Sequence, residues 1–397
     1  MQQTVHTDIA IIGGGIAGLW LLNRLRQQGF SVILLESNTL GGGQTSKSQG
    51  IIHGGMKYAL QGMLTPATRA IADMPTIWKK CLEGTGEINL SHVPILSSQQ
   101  YLWSNGSVTS KIAGFFAGLT LKSHLSSLEK NAFPEIFKHP QFQGQVYALD
   151  EMVIDVPALL SEMSKPHQDV IFKIDPPEKN PLQFDSEGKI ISFEMQAQPL
   201  PPITLKAKKY IFTAGSGNAA LLSNVPIRMQ RRPLHMVVVK HDMPYAVYAH
   251  CLGLSSTPRI TITTHRAQDG KTIWYLGGQL AEEGIARSSA EQTHLADSEL
   301  KALFPWLDFS NARFASFLVD RAESLQPDGS RPDSCFMQAI HNLIVAWPTK
   351  LALAPQLTKE IIQCVTDEDI QPSAGDIQSL QSWPTPAIAT PIWDQLL

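Results

Sequence analysis

Six residues, Gly13-Gly14-Gly15-Ile16-Ala17-Gly18, constrain this chain more than any other stretch. They follow Asp8 to Ile12, which reads as a continuous apolar strand of the kind covered on both faces in the middle of a parallel sheet. Gly13, Gly15 and Gly18 fit G-x-G-x-x-G. In that pattern the first glycine allows a tight turn, the second lets backbone approach a pyrophosphate, and the third lets the helix pack close to the strand. A helix is expected from Ile16 to Gln28, with Ala17, Leu21 and Leu25 on its buried side and Gly29 as its stop. Its first amides, around Ile16 and Ala17, would face the phosphates. A second strand, SVILLE, ends in Glu36, 18 residues beyond Gly18 and just before Ser37. An acid there suits the hydroxyls of an adenosine ribose and repels a 2′-phosphate.

A nicotinamide-binding domain would continue as alternating strands and helices. Here the chain instead enters SNTLGGGQTSKSQG, where three glycines and a run of hydroxyl side chains supply bare backbone and polar groups over a long distance. A flavin dinucleotide, with a ribityl chain and a ring beyond its pyrophosphate, needs such a track; a flexible surface loop is the alternative. His53 and a glycine pair follow directly.

Composition narrows the partners. With 397 residues, 43% of them hydrophobic and 17% charged, the chain can bury a large core in more than one domain. The net charge of −3 and the lack of a Lys/Arg block argue against nucleic acid as a partner. Cys81, Cys251, Cys335 and Cys364 lie far apart without metal-ligand spacing, which favours reduced thiols and a cytoplasmic protein with no metal site. No basic flank precedes the first strand, so export is not expected. The most apolar later stretch, Ile112 to Leu121, falls short of the ~20 residues that span a bilayer and would at most give weak peripheral contact at the inner face of a membrane.

The stretch TSKSQGIIHGGMKY resembles the segment after the first βαβ unit of FAD-dependent glycerol-3-phosphate dehydrogenases and L-2-hydroxyglutarate dehydrogenases, in the D-amino acid oxidase-like flavoprotein superfamily. The resemblance implies that Thr45, Ser46, Lys47 and Ser48 lie along the ribityl-pyrophosphate, while Gly50, Ile52 and His53 approach the isoalloxazine and the substrate. It also implies that the turn after the strand Tyr210 to Thr213, with Ala214 and Gly215, passes close to FAD. Near the end, a strand from Asn342 to Ala346 leads to a helix that starts at Pro355. The turn between them, including Pro348, Thr349, Lys350 and Leu351, would cover the pyrimidine end of the flavin. Many relatives place glycines where this chain has Trp347-Pro348-Thr349. Lys350 matches a lysine of the family, and its cation would stabilise the charge of reduced flavin; a solvated lysine is the other reading. Arg321 falls where superfamily members hold a substrate carboxylate, unless it merely pairs with Asp320 or Glu323.

The fold expected is α/β: a Rossmann-like FAD-binding domain assembled from separated segments (1–90, 145–225 and 317–375), with an α+β substrate domain (91–144 and 226–316) built on a mostly antiparallel sheet. HMVVVKH, RITITTH and TIWYLGG supply that sheet. Residues 376–397 read as an irregular surface tail. The activity implied is FAD-dependent removal of a hydride from a small hydroxy acid or polyol phosphate. FAD is held non-covalently, His53 is the base, and oxygen or a quinone accepts the electrons. An amine or amino-acid oxidase of the same superfamily, or a flavin-binding protein without turnover, are the alternatives, as is a purely structural His53.

Overall fold

A computed structural model describes residues 3–54, 71–104, 125–253 and 257–397. The first apolar run becomes β1 (Gln3–Ile12), whose last six residues are buried. It lies between β2 (Val32–Glu36) and the strand Ile203–Phe212, parallel to both. Ile171–Lys173 extends the sheet beyond β2, and Leu343–Trp347 extends it on the other side, both parallel. Chain order therefore reverses beside β1, the switch point at which open α/β sheets form a crevice at the carboxyl ends of their strands. Leu182–Phe184, Ile190–Met195 and Phe336–Ile340 add antiparallel pairs to this sheet.

Helix α1 (Ile16–Gln27) buries Ala17, Leu21 and Leu25, and also Leu19, Trp20 and Leu22. The wider buried surface arises because the helix is covered on its outer side as well: the Trp20 ring lies 4.7 Å from Trp78, and its Nε1 donates to Glu87. The helix Ala354–Asp367 packs beside α1 and starts with a proline in its first turn, where a missing N–H costs nothing.

A second sheet runs Arg313–Ser324, Met229–His241, Thr272–Gly277, Ile260–Arg266, Ala249–Cys251, Gln100–Ser104, Gln145–Leu149 and Leu125–Ser127. Its pairs are antiparallel except for Ala249–Cys251 with Gln100–Ser104. The helix Ser289–Leu303 beside it opens with a reciprocal capping box between Ser288 and Glu291.

Two expected segment borders, at 145 and 317, fall at or inside strands of this second sheet. Gln145–Leu149 pairs with Gln100–Ser104, and Arg313–Ser324 pairs along its length with Met229–His241. Arg321 thus lies within a strand. The last 22 residues also differ from a surface tail: Leu380, Trp383 and Trp393 are buried. Ile388 bridges to Leu40 beside the glycine loop, and Trp393 stacks on His265 in the second sheet with ring centres 4.7 Å apart. Prolines and short apolar residues hid this strap, because its pairing partners are remote in sequence. Among the described residues no helix is long and apolar enough to cross a membrane. The stretch Ile112 to Leu121, with its expected membrane contact, lies outside the described residues.

Candidate active site

The carboxyl ends of β1, β2, Ile203–Phe212 and Leu343–Trp347 open onto a cavity of about 1000 Å³, which Met236, Thr261 and Val319 of the second sheet also line. That volume reaches the upper end of the ~300–1,000 Å³ usual for ligand sites.

At one end the walls are mostly backbone. Gly13 has φ +115°, and a Cβ there would lie 2.6 Å from the backbone of Ala214, so this turn and the one at Ala214 touch. Gly15 is tight only against Thr45 Oγ1, at 3.3 Å, and its bare side faces the cavity with those of Ile16 and Ala17. Thr45 Oγ1 accepts a hydrogen bond from Ile16 N at 3.1 Å, which caps α1 from a distant loop. Glu36 accepts from Gly14 N and Asn38 N, both at 2.8 Å, one on each carboxylate oxygen. Each oxygen keeps a lone pair for a further donor. Ser37, Lys47, Ala214 and Gly215 line the same end. Ser48 lines it too, and its Oγ is buried without a hydrogen-bond partner among the described residues. An orphaned hydroxyl, a glycine cradle and an acid at the end of β2 fit the polar spine of FAD.

Gly18, Ser46, Gly50 and Ile52 do not line the cavity. Gly18 serves packing: a Cβ there would sit 2.0 Å from Gly13 O. Ser46 is buried in a turn, its N–H donating to Gly41 O. Gly50 O accepts from Ile154 N, and Ile51–Ile52 pairs with Met152–Ile154. Side chains alternate along a strand, so Ile51 and His53 face the cavity while Ile52 points into the core behind it.

The other end is made of side chains. His53 Nδ1 lies 3.1 Å from Glu151 Oε2, and Glu151 Oε1 accepts from Gly54 N at 2.9 Å. Glu151 is only 5% exposed. Burial alone would raise its carboxyl; the charge and hydrogen bond of His53, the charge of His250 and the Gly54 amide outweigh that and bring it below the usual range. The His250 ring is stacked 6.3 Å from His53, with Nδ1 2.8 Å from Thr261 Oγ1.

Arg321 lines the cavity and donates from Nε to Arg232 O at 3.0 Å. Neither suggested acid pairs with it: Asp320 binds Arg231 at 3.1 Å, and the buried Glu323 binds Arg232 at 2.8 Å. Burial, then Arg232 and Arg331, lower Arg321 to about 10 against the pull of Glu323 and Glu282, which leaves it cationic at neutral pH. Arg331 lines the cavity beside it with a buried Nε that has no partner among the described residues.

Pro348, Thr349, Lys350 and Leu351 also border the cavity. Thr349 holds φ 58°, a left-handed conformation that glycine takes freely and a β-branched residue rarely adopts. Its Oγ1 donates to Ser334 O at 3.0 Å, and Trp347 Nε1 donates to Gly215 O at 3.0 Å, so side chains hold the turn where glycines are absent. Glu151, His250 and Arg331 carried no motif in the sequence; only the strand register brings Glu151 to His53.

A family model described as FAD dependent oxidoreductase, DAO, matches residues 8–168. A Pseudomonas aeruginosa protein described as a probable FAD-dependent oxidoreductase is 43% identical over 398 residues, covering 99% of each chain. The crystal structure of the FAD dependent oxidoreductase from that organism aligns with a TM-score of 0.85 at 39% identity, over 100% of this chain and 99% of that one. Glycine oxidase from Geobacillus kaustophilus aligns at 0.64 and 16% identity, over 95% and 98% of the two chains. An L-alpha-glycerophosphate oxidase from Mycoplasma pneumoniae with FAD bound aligns at 0.62 and 15%, over 91% and 95%. The last two likenesses are of fold.

Proposed function

The chain belongs to the DAO family of FAD-dependent oxidoreductases, and from that premise we propose that it oxidises a small anionic alcohol, a hydroxy acid or a polyol phosphate. The observation that carries this reading is one cavity that holds both His53, backed by a buried carboxylate, and Arg321, a half-buried guanidinium with no acid paired to it among the described residues. FAD, when bound, supplies the acceptor for the hydride. Gly13, Gly15, Glu36 and Ser48 would hold its pyrophosphate and polar spine, and Lys350 would stand near the ring. Arg321 binds the substrate anion, as a planar fork of donors does well. His53 takes the hydroxyl proton as the carbon gives up its hydride. None of the described cysteines lines the cavity, which supports non-covalent FAD. Oxygen or a quinone would take the electrons.

Anaerobic mixing of the yellow protein with a panel of 2-hydroxy acids, polyol phosphates and amino acids tests the proposal. Bleaching of the flavin by a member of the first two classes is expected. Bleaching by amino acids alone would replace this reading with an amine oxidase, as the glycine oxidase fold would allow, and a flavin that stays oxidised with all three overturns it.

A further inference from the structure

His53 and Glu151 are 98 positions apart, yet the fold makes them neighbours by simple register. Ile51 pairs with Val153 and Ile52 with Met152 in an antiparallel ladder. The next position on each strand puts His53 across from Glu151, where side chains of an antiparallel pair meet. Both carboxylate oxygens are engaged at that point: Oε2 faces His53 Nδ1 at 3.1 Å and Oε1 accepts from Gly54 N at 2.9 Å. An ionised carboxylate only accepts. Nδ1 must therefore carry the hydrogen, and the remaining lone pair of a neutral His53 lies on Nε2.

From this geometry we propose that Glu151 is a positioning residue, which locks His53 in the Nδ1–H tautomer so that Nε2 receives the substrate proton. The inference rests on the reading of His53 as the base. In the step, the substrate O–H bond breaks and its proton passes to Nε2, while the electron pair of the C–H bond leaves as hydride toward bound FAD. The imidazolium that results has a buried anion directly behind it, a contact that strengthens as charge develops on the ring. The second ring, His250, is stacked on His53 and held by Thr261, and its charge also favours the ionised Glu151.

Glu151→Gln keeps the shape and removes the charge, and its amide can also donate to Nδ1. We expect flavin reduction at saturating substrate to slow by roughly 10²-fold or more, as when the carboxylate behind a catalytic histidine becomes an amide. Substrate affinity and FAD content should stay at the parent's values. Glu151→Asp should recover part of the rate. Combined with His53→Ala, the Gln substitution should slow the enzyme no further than His53→Ala does, because both act on one proton transfer. In ¹⁵N spectra of histidine-labelled protein, His53 should show the Nδ1–H form in the parent and shift toward Nε2–H in Glu151→Gln. A parent-like rate and an unchanged tautomer in Glu151→Gln, or a further loss on the His53→Ala background, overturns the proposal. A parent-like rate in His53→Ala alone defeats the base reading instead, and the spectra still decide the role of Glu151.

Discussion

The two ends of the cavity are built in different ways. The glycine end comes from one continuous stretch, Gly13 to Ser48, plus the turn at Ala214, and presents largely main-chain groups to the cavity. The histidine–arginine end gathers His53, Glu151, His250, Arg321 and Arg331 from strands and loops spread over nearly 280 positions, and what they bring to the cavity wall is side-chain chemistry. A backbone-made site needs particular residue types at fixed local spacing, so it leaves a pattern. A side-chain-made site needs only that the sheets bring the right groups together, and any spacing will serve.

That contrast can be broken most severely at the glycine end. Gly18→Ala places a Cβ 2.0 Å from Gly13 O and 2.9 Å from Thr213 Oγ1, inside a turn that cannot yield cheaply. The expected cost is about 3 kcal/mol or more, read as a lowered denaturation midpoint and protein purified without FAD. Gly15→Ala sharpens the same point, since its Cβ meets only Thr45 Oγ1 at 3.3 Å. It should keep a midpoint near the parent's and lose FAD affinity alone. Equal damage in both variants would mean that the two glycines do one job.

Removal of the cation at the Lys350 turn should be milder. Lys350→Met should leave FAD bound and make its reduction potential more negative, because a positive charge beside the site is lost. Potentiometry that finds no change places Lys350 outside the electrostatic reach of the ring.

The smallest effect is in the strap. Burial lowers His265 to about 3, well under its ordinary value near 6.5, where it stacks on Trp393. A histidine held neutral in the fold but free to protonate when unfolded contributes stability above pH ~6.5 that is lost as pH falls toward 3. Between pH 7 and 5.5 this should cost the parent about 1 kcal/mol more than it costs His265→Gln, measured by denaturation at both pH values. Parallel pH profiles for the two proteins would remove His265 from the account.

These differences follow what the sequence makes legible. The strand, glycines, helix and Glu36 were readable because each has a local requirement, and Gly18 was readable even though it packs and does not line the cavity. The resemblance draws Ser46, Gly50 and Ile52 toward the cofactor, but Ser46 is held in a turn by Gly41 O, Gly50 O is taken by Ile154 N, and the pairing of Ile51–Ile52 with Met152–Ile154 turns the Ile52 side chain away. Glu151 precedes a three-residue strand, Met152–Ile154, which gives no periodic signal of its own. Arg321 was legible by family position, and its freedom from Asp320 and Glu323 was not. That depends on Arg231 and Arg232 arriving from the facing strand to claim both acids. The strap is illegible for a similar reason, because its order comes from contacts with residues remote in sequence, such as Leu40 and His265.

The central claim is that the histidine–arginine end is where substrate is bound and deprotonated, and anaerobic flavin reduction in His53→Ala and Arg321→Ala, followed over a range of substrate concentrations, tests it most directly. His53→Ala should reduce its flavin roughly 10²–10⁴-fold more slowly at saturation with affinity kept. Arg321→Ala should bind the anionic substrate at least ten-fold more weakly, as expected for a lost charge-assisted contact of ~1.5–3 kcal/mol, and spare an analogue without the anion. If both variants match the parent in rate and affinity, the substrate is oxidised somewhere else.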